Sequence, residues 1–160
     1  MLGRLLLSES IGFSPLILCL GRYGFRSKNK YVANDRQYSY VWNDRKQFDQ
    51  LVGNFQGMQH QLAQAHVEIS AARALVYNAA RKKEAGLDFV RDAAMAKLYA
   101  SQVAGKVSGQ AVEWMGGMGF VREGLAEKFF RDSKIGAIYE GTSNIQLNTI
   151  ARLLQKEYTR

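Results

Sequence analysis

The chain has 160 residues, 47% of them apolar, with 15 glycines and a single proline. That composition makes one ordered globular domain with a real core and excludes a linker or low-complexity tail. A lone Cys19 rules out an internal disulfide and a thiolate cluster and fits a reducing compartment. The net charge of +8 is not arranged as a basic stripe with interleaved aromatics, so nucleic acid is not an expected partner. A basic surface does favour a small anionic molecule, such as a phosphate-bearing cofactor.

Residues 1–37 read apart from the rest. Within residues 1–40 there are six basic and two acidic groups, so half of the net charge sits in a quarter of the length. The apolar run Ile11 to Leu20 is too short to span a bilayer. An acidic-poor, arginine-bearing, serine-containing segment has the look of a mitochondrial transit sequence, and an unrelated extension is the alternative.

Residues 38–160 read as helical throughout. Tyr38, Val41, Arg45 and Phe48 recur at helical spacing. Phe55, Met58, Leu62, Ala65, Ile69, Ala72, Val76 and Ala79 then form a stripe whose spacings alternate between three and four, the pattern of a bundle seam. Arg81 to Lys83 suit a helix C-terminus, Gly86 ends it, and Asp88 caps the next helix. That helix shows a face of Phe89, Ala93, Ala96, Ala100, Val103 and Val107, continuing to Trp114, whose small residues allow close approach. The two helices are predicted to form an antiparallel hairpin near 54–85 and 88–115. Met115-Gly116-Gly117-Met118-Gly119-Phe120 breaks the second helix. A helix, not the strand of a dinucleotide fingerprint, precedes its glycines, and no third properly spaced glycine follows. A short helix is expected at Glu123 to Phe130 and a last one from Thr142 to Tyr158. His60 and His66 have no ligand spacing, and no metal site is expected.

The most informative stretch is Arg131 to Gln146. It sets one carboxylate, Glu140, among Ile135, Ala137, Ile138 and Tyr139, directly before Gly141 and a helix start. Apolar neighbours disfavour a charged carboxylate and make it a better base, while a helix N-terminus pushes the other way. The residues alone leave that balance open, and an ordinary acidic residue at a helix start is the plain alternative. Thr142, Ser143 and Asn144 are all good capping residues.

Four motifs in order resemble the C-terminal domain of the acyl-CoA dehydrogenase family, from about Tyr40 to Tyr158. They are Asp44-Arg45-Lys46-Gln47-Phe48 with Phe55-Gln56, Ala93 to Lys97, Glu113 to Phe120, and Arg131 to Gln146. Glu-Trp-Met-Gly-Gly combined with Ile-Tyr-Glu-Gly-Thr-Ser-Asn-Ile-Gln is most similar to the short/branched-chain type. The resemblance implies an all-α, up-down four-helix bundle and flavin-dependent α,β-dehydrogenation of a short or short-branched acyl-CoA. It implies FAD as cofactor, electron-transfer flavoprotein as electron acceptor, a homotetramer and the mitochondrial matrix. The position matching the catalytic base is Glu140, and Gly141 matches a substrate contact. Arg45, Gln56, Glu113, Trp114, Met115, Gly116 and Gly117 match contacts to the pyrophosphate and adenine half of the flavin, usually across a subunit boundary. Thr142, Ser143 and Asn144 match helix-start contacts to the dinucleotide. Read as residues alone, Arg45 is equally a surface charge, Gln56 a solvated helix residue and Glu113 a helix-end acid.

Two departures stand out. Asp49 occupies a position where the family usually has glycine. The family's N-terminal helical domain and middle β-domain have no counterpart in residues 1–40, so the chain is expected to be a C-terminal fragment, isoform or incomplete gene product. The alternative role for such a chain is a non-catalytic helical domain that assembles with intact family members.

Overall fold

A computed structural model describes residues 40–159; the transit-like reading of residues 1–37 lies outside them. The expected all-α bundle is present, built from helices α1 (Gln56–Glu84), α2 (Val90–Met115), α3 (Gly117–Phe120), α4 (Ala126–Ser133) and α5 (Ser143–Tyr158).

The predicted stripe buries one face of α1. Leu62, Ala65, Ile69, Ala72, Val76 and Ala79 are all buried, with Phe55 and Met58 partly buried beside them. They meet Ala96, Ala100, Val103, Val107, Ala111 and Trp114 of α2, where alanines let the two backbones close up. Burying each large aliphatic side chain here contributes about 1.5–3 kcal/mol.

The connection follows from its residues. The Leu87 N–H donates to the Lys82 carbonyl at 3.0 Å and the Gly86 N–H to the Lys83 carbonyl at 3.1 Å, the paired bonds of a glycine-ended helix. Phe89 rather than the expected Asp88 is the N-cap of α2, and Asp88, one residue earlier, accepts from the Val90 N–H at 3.2 Å. Three side-chain bridges set the register of the antiparallel pair at near-mirror positions about this loop. Asp92 accepts from Lys82 (2.7 Å) and Asn78 (2.8 Å), Glu68 accepts from Lys106 (2.6 Å), and Gln61 accepts from the indole N–H of Trp114 (2.9 Å).

The second face of α2 is also covered. Ala94, Lys97, Ser101, Ala104 and Ser108 are buried on it, and the Ser108 hydroxyl donates to Ser133 Oγ of α4 at 3.0 Å. Thus α2 is the central helix, with α1 on one side and α4 and α5 on the other. No residue of α5 is buried, and Ile145, Leu147 and Leu154 leave their apolar side chains exposed.

One expected helix is absent. The segment from Tyr38 to Phe48 does not form a regular helix among its described residues. Tyr40–Asp44 makes a single π turn, followed by a minimal hairpin, β1 (Lys46–Gln47) and β2 (Gln50–Leu51). Its two-residue turn places Phe48 at φ 52° and Asp49 at φ 59°. Both central residues of a primed turn need positive φ, which glycine adopts freely and aspartate tolerates. This accounts for the family's usual glycine where Asp49 stands.

Candidate functional site

Glu140 sits in the loop between the 3₁₀ turn Lys134–Ala137 and α5. It has φ 53° and the following Gly141 has φ 87°. A non-glycine residue there is strained by about 1–3 kcal/mol and stays only where its surroundings hold it. Here the surroundings are polar groups on the backbone. Gln146 Nε2 donates to both the Glu140 and Gly141 carbonyls at 3.2 Å, and Lys97 Nζ donates to the Gly141 carbonyl at 2.6 Å. The positive φ favours glycine at 141, and a Cβ there would stand 2.7 Å from Gln146 Nε2, the movable end of that side chain.

The side chain of Glu140 is exposed, and so are Ile135 and Ile138 from the run expected to surround it. Apolar enclosure of this carboxylate is therefore not provided by the chain's own described residues. Thr142 is the N-cap, its hydroxyl accepting from the Ile145 N–H at 3.4 Å, and Ser143 donates to the Ala137 carbonyl at 3.4 Å. Those two hydroxyls serve the start of α5, while Asn144 is exposed.

A second cluster forms where α2 ends. Gly116 has φ 61° and ψ −136°, backbone accessible essentially to glycine alone. The Arg45 guanidinium lies directly over it: Nη1 donates to the Trp114 carbonyl, and a Cβ on Gly116 would stand 2.8 Å from Nη2. Arg45, Gly117, Tyr40, Asp44, Gln47 and Met115 line an open cleft of about 510 Å³. The structure thus brings together Arg45 and the Trp114–Gly117 turn. Trp114 and Met115 are themselves core residues, so what Trp114 presents here is its backbone. Gln56 and Glu113 are exposed, Gln56 as the first residue of α1.

These clusters are far apart. The Glu140 loop is tied to α2 at Lys97 and the Arg45 cleft at Trp114, positions 17 residues apart, which span about 25 Å at about 1.5 Å per residue. One copy therefore cannot gather all the candidate residues around a single small group. Lys97 and Gln146 were not picked out as site residues from the sequence. The available signal was a lysine inside the small apolar run Ala93 to Ala100, where a side chain must be buried. Burial pushes the Lys97 ammonium below the ordinary lysine value, an effect that the nearby Glu140 charge partly offsets. Among the described residues no cluster of potential metal ligands occurs, and no helix is long and apolar enough to cross a membrane.

Comparison with known proteins gives a consistent picture. Residues 34–155 match the family described as acyl-CoA dehydrogenase, C-terminal domain. The short/branched chain specific acyl-CoA dehydrogenase, mitochondrial, of Rattus norvegicus is 56% identical over 141 residues, covering 86% of this chain and 32% of that protein. Butyryl-CoA dehydrogenase from Megasphaera elsdenii superposes with a TM-score of 0.80 at 37% identity, covering 89% of this chain and 35% of that one. A chain from a structure of the electron transferring flavoprotein of Acidaminococcus fermentans superposes equally well, with a TM-score of 0.80 at 34% identity over 89% of this chain and 35% of that one. The chain thus spans about a third of the length of the relatives it matches.

Proposed function

Because the chain belongs to the acyl-CoA dehydrogenase family, as its C-terminal helical domain, we propose that it supplies the catalytic base and part of the flavin cradle of a dehydrogenase. The reaction is α,β-dehydrogenation of short or short-branched acyl-CoA thioesters, with electrons passed on to electron-transfer flavoprotein. The observation that carries this reading is Glu140, an exposed carboxylate on a strained backbone held from two elements. Its role is to take the α-proton of the thioester onto a carboxylate oxygen. Gly141 is assigned to a substrate contact beside it on the family resemblance.

The Arg45 cleft fits the anionic half of FAD. Its guanidinium is suited to a pyrophosphate, and the bare Gly117 backbone allows close approach. Gln56 and Glu113, both exposed, are assigned to the adenine side on the family resemblance, and the start of α5 at Thr142 to Asn144 offers N–H donors to the dinucleotide. When bound, FAD supplies the hydride acceptor for the β-carbon. The separation of about 25 Å along α2 supports a division of labour in which Arg45 serves the site of one subunit and Glu140 that of another. A homotetramer meets that need, and the mitochondrial matrix is the compartment that accompanies this reading.

The test is Glu140→Gln in a complete enzyme carrying residues 38–160 as its C-terminal domain. Flavin bleaching is followed anaerobically in single turnover with excess butyryl-CoA or 2-methylbutyryl-CoA. Glutamine keeps the shape and cannot accept the proton, so the rate should fall by about 10⁴-fold or more with flavin content unchanged. Bleaching at a near-parental rate would place the base elsewhere.

The uncovered apolar face of α5 also favours a second reading, a non-catalytic helical domain that assembles with intact family members. Tight association of the purified chain without bound flavin supports that reading, whereas stoichiometric yellow cofactor supports the first.

A further inference from the structure

The geometry points to Lys97 as the positioning residue for Glu140: its buried ammonium holds the Gly141 carbonyl and thereby the strained backbone that presents the carboxylate. The inference rests on the reading of Glu140 as the base, and its test separates the two.

Lysine is seldom buried without a reason, because its charge loses hydration that a partner must replace. Lys97 is only 7% exposed, on the face of α2 turned away from α1. Its partner is a backbone carbonyl 44 residues further on, at 2.6 Å, in the turn after the carboxylate. The Glu140 charge offsets part of the cost of burying the ammonium.

The backbone geometry shows what the bond does. Two successive residues at positive φ reverse the chain between the turn Lys134–Ala137 and α5, and the first of them is not glycine. Gln146 holds this turn from α5, the element that begins at the turn. Lys97 alone among these contacts reaches it from the central helix. It therefore references the carboxylate to the rigid part of the fold rather than to its own loop. A misplacement of about 1 Å at a reacting group can cost about 100-fold in rate, so this tether matters even though Lys97 touches no substrate atom.

The experiment compares Lys97→Met and Lys97→Arg, with Glu140→Gln alongside, in the complete enzyme and in the 160-residue chain. In the enzyme, Lys97→Met should lower kcat by about 10- to 100-fold, with KM changed by less than about threefold and flavin content intact. Lys97→Arg, which keeps a cationic donor, should recover most of that loss. In the chain, amide hydrogen exchange at Glu140 to Thr142 should accelerate in Lys97→Met while the amides of α1 keep their protection. Unchanged loop exchange, or a kcat within threefold of the parent, overturns the proposal. So does equal loss of rate, flavin and melting temperature in both variants, since that marks a purely structural residue. Should Lys97→Met fail to fold, Lys97→Gln carries the same comparison with Lys97→Arg. A fully active Glu140→Gln enzyme overturns the assignment of the base instead, and the exchange result still decides whether Lys97 holds the loop.

Discussion

Two adjacent glycines should respond to alanine with opposite signs. Gly116 lies at φ 61°, ψ −136°, where a Cβ costs about 1–3 kcal/mol in backbone strain alone. That Cβ would also stand 2.8 Å from Arg45 Nη2. The guanidinium is the flexible end of a long side chain and can retreat, but only by giving up its bond to the Trp114 carbonyl. Arg45 is half-buried, so water replaces part of that bond and the added loss is about 1 kcal/mol. Gly116→Ala should therefore destabilise by about 2–4 kcal/mol. Gly117 is already helical, and a Cβ there meets nothing within 4 Å. Gly117→Ala should stabilise by about 0.4–1 kcal/mol, because it restricts the unfolded chain without straining the folded one. Urea unfolding of the 160-residue chain, followed by helical circular dichroism and tryptophan emission, measures both at constant m-value. A Gly116→Ala protein as stable as the parent, or a Gly117→Ala protein less stable than Gly116→Ala, would refute the reasoning.

Three further perturbations test the packing. Asp49→Gly should stabilise by about 0.5–1 kcal/mol, since it removes a side chain from a turn position at φ 59°; the same unfolding curves report it. Asp92→Ala removes the acceptor shared by Lys82 and Asn78 across the α1–α2 loop. Because the Lys82 side chain is 34% exposed and can rehydrate, the cost should be about 2 kcal/mol rather than the larger values of fully buried pairs. A double-mutant cycle with Lys82→Met should show a positive coupling. The hydrogen bond from Lys106 holds the Glu68 carboxyl below the ordinary value of 4.5, against the smaller opposing effect of burial. Its stabilisation is therefore complete above pH 4.5 and disappears as pH falls through the lower folded value. Glu68→Gln should cost about 0.5–1 kcal/mol at neutral pH and nothing in strong acid, read from unfolding midpoints across that range.

Features that depend on neighbours in the chain were legible in the residues alone. The three-four stripe from Phe55 to Ala79 predicts a one-sided helix, and Leu62, Ile69 and Val76 are buried on that side. Gly86 and Asp88 predict the turn between the long helices, and the hydrogen bonds at Leu87 and Val90 follow. Thr142 predicts the start of α5 and caps it. The family, too, was legible, because four motifs in order leave little room for another assignment. Other features depend on the folded surroundings rather than on local spacing. Among the described residues of the helically spaced Tyr38 to Phe48 segment, a π turn at Tyr40–Asp44 and a hairpin turning through Phe48 and Asp49 replace a regular helix. The second buried face of α2 escaped detection because Lys97, Ser101 and Ser108 are polar, and their burial depends on partners in α4 and the Glu140 loop. The apolar run around Glu140 predicted an enclosed carboxylate, yet Ile135 and Ile138 face outward, because enclosure needs surfaces that the described residues do not supply. Lys97 shows the same physical limit. Its spacing places it on a helix, and only the approach of Gly141 from 44 residues away gives its charge a purpose.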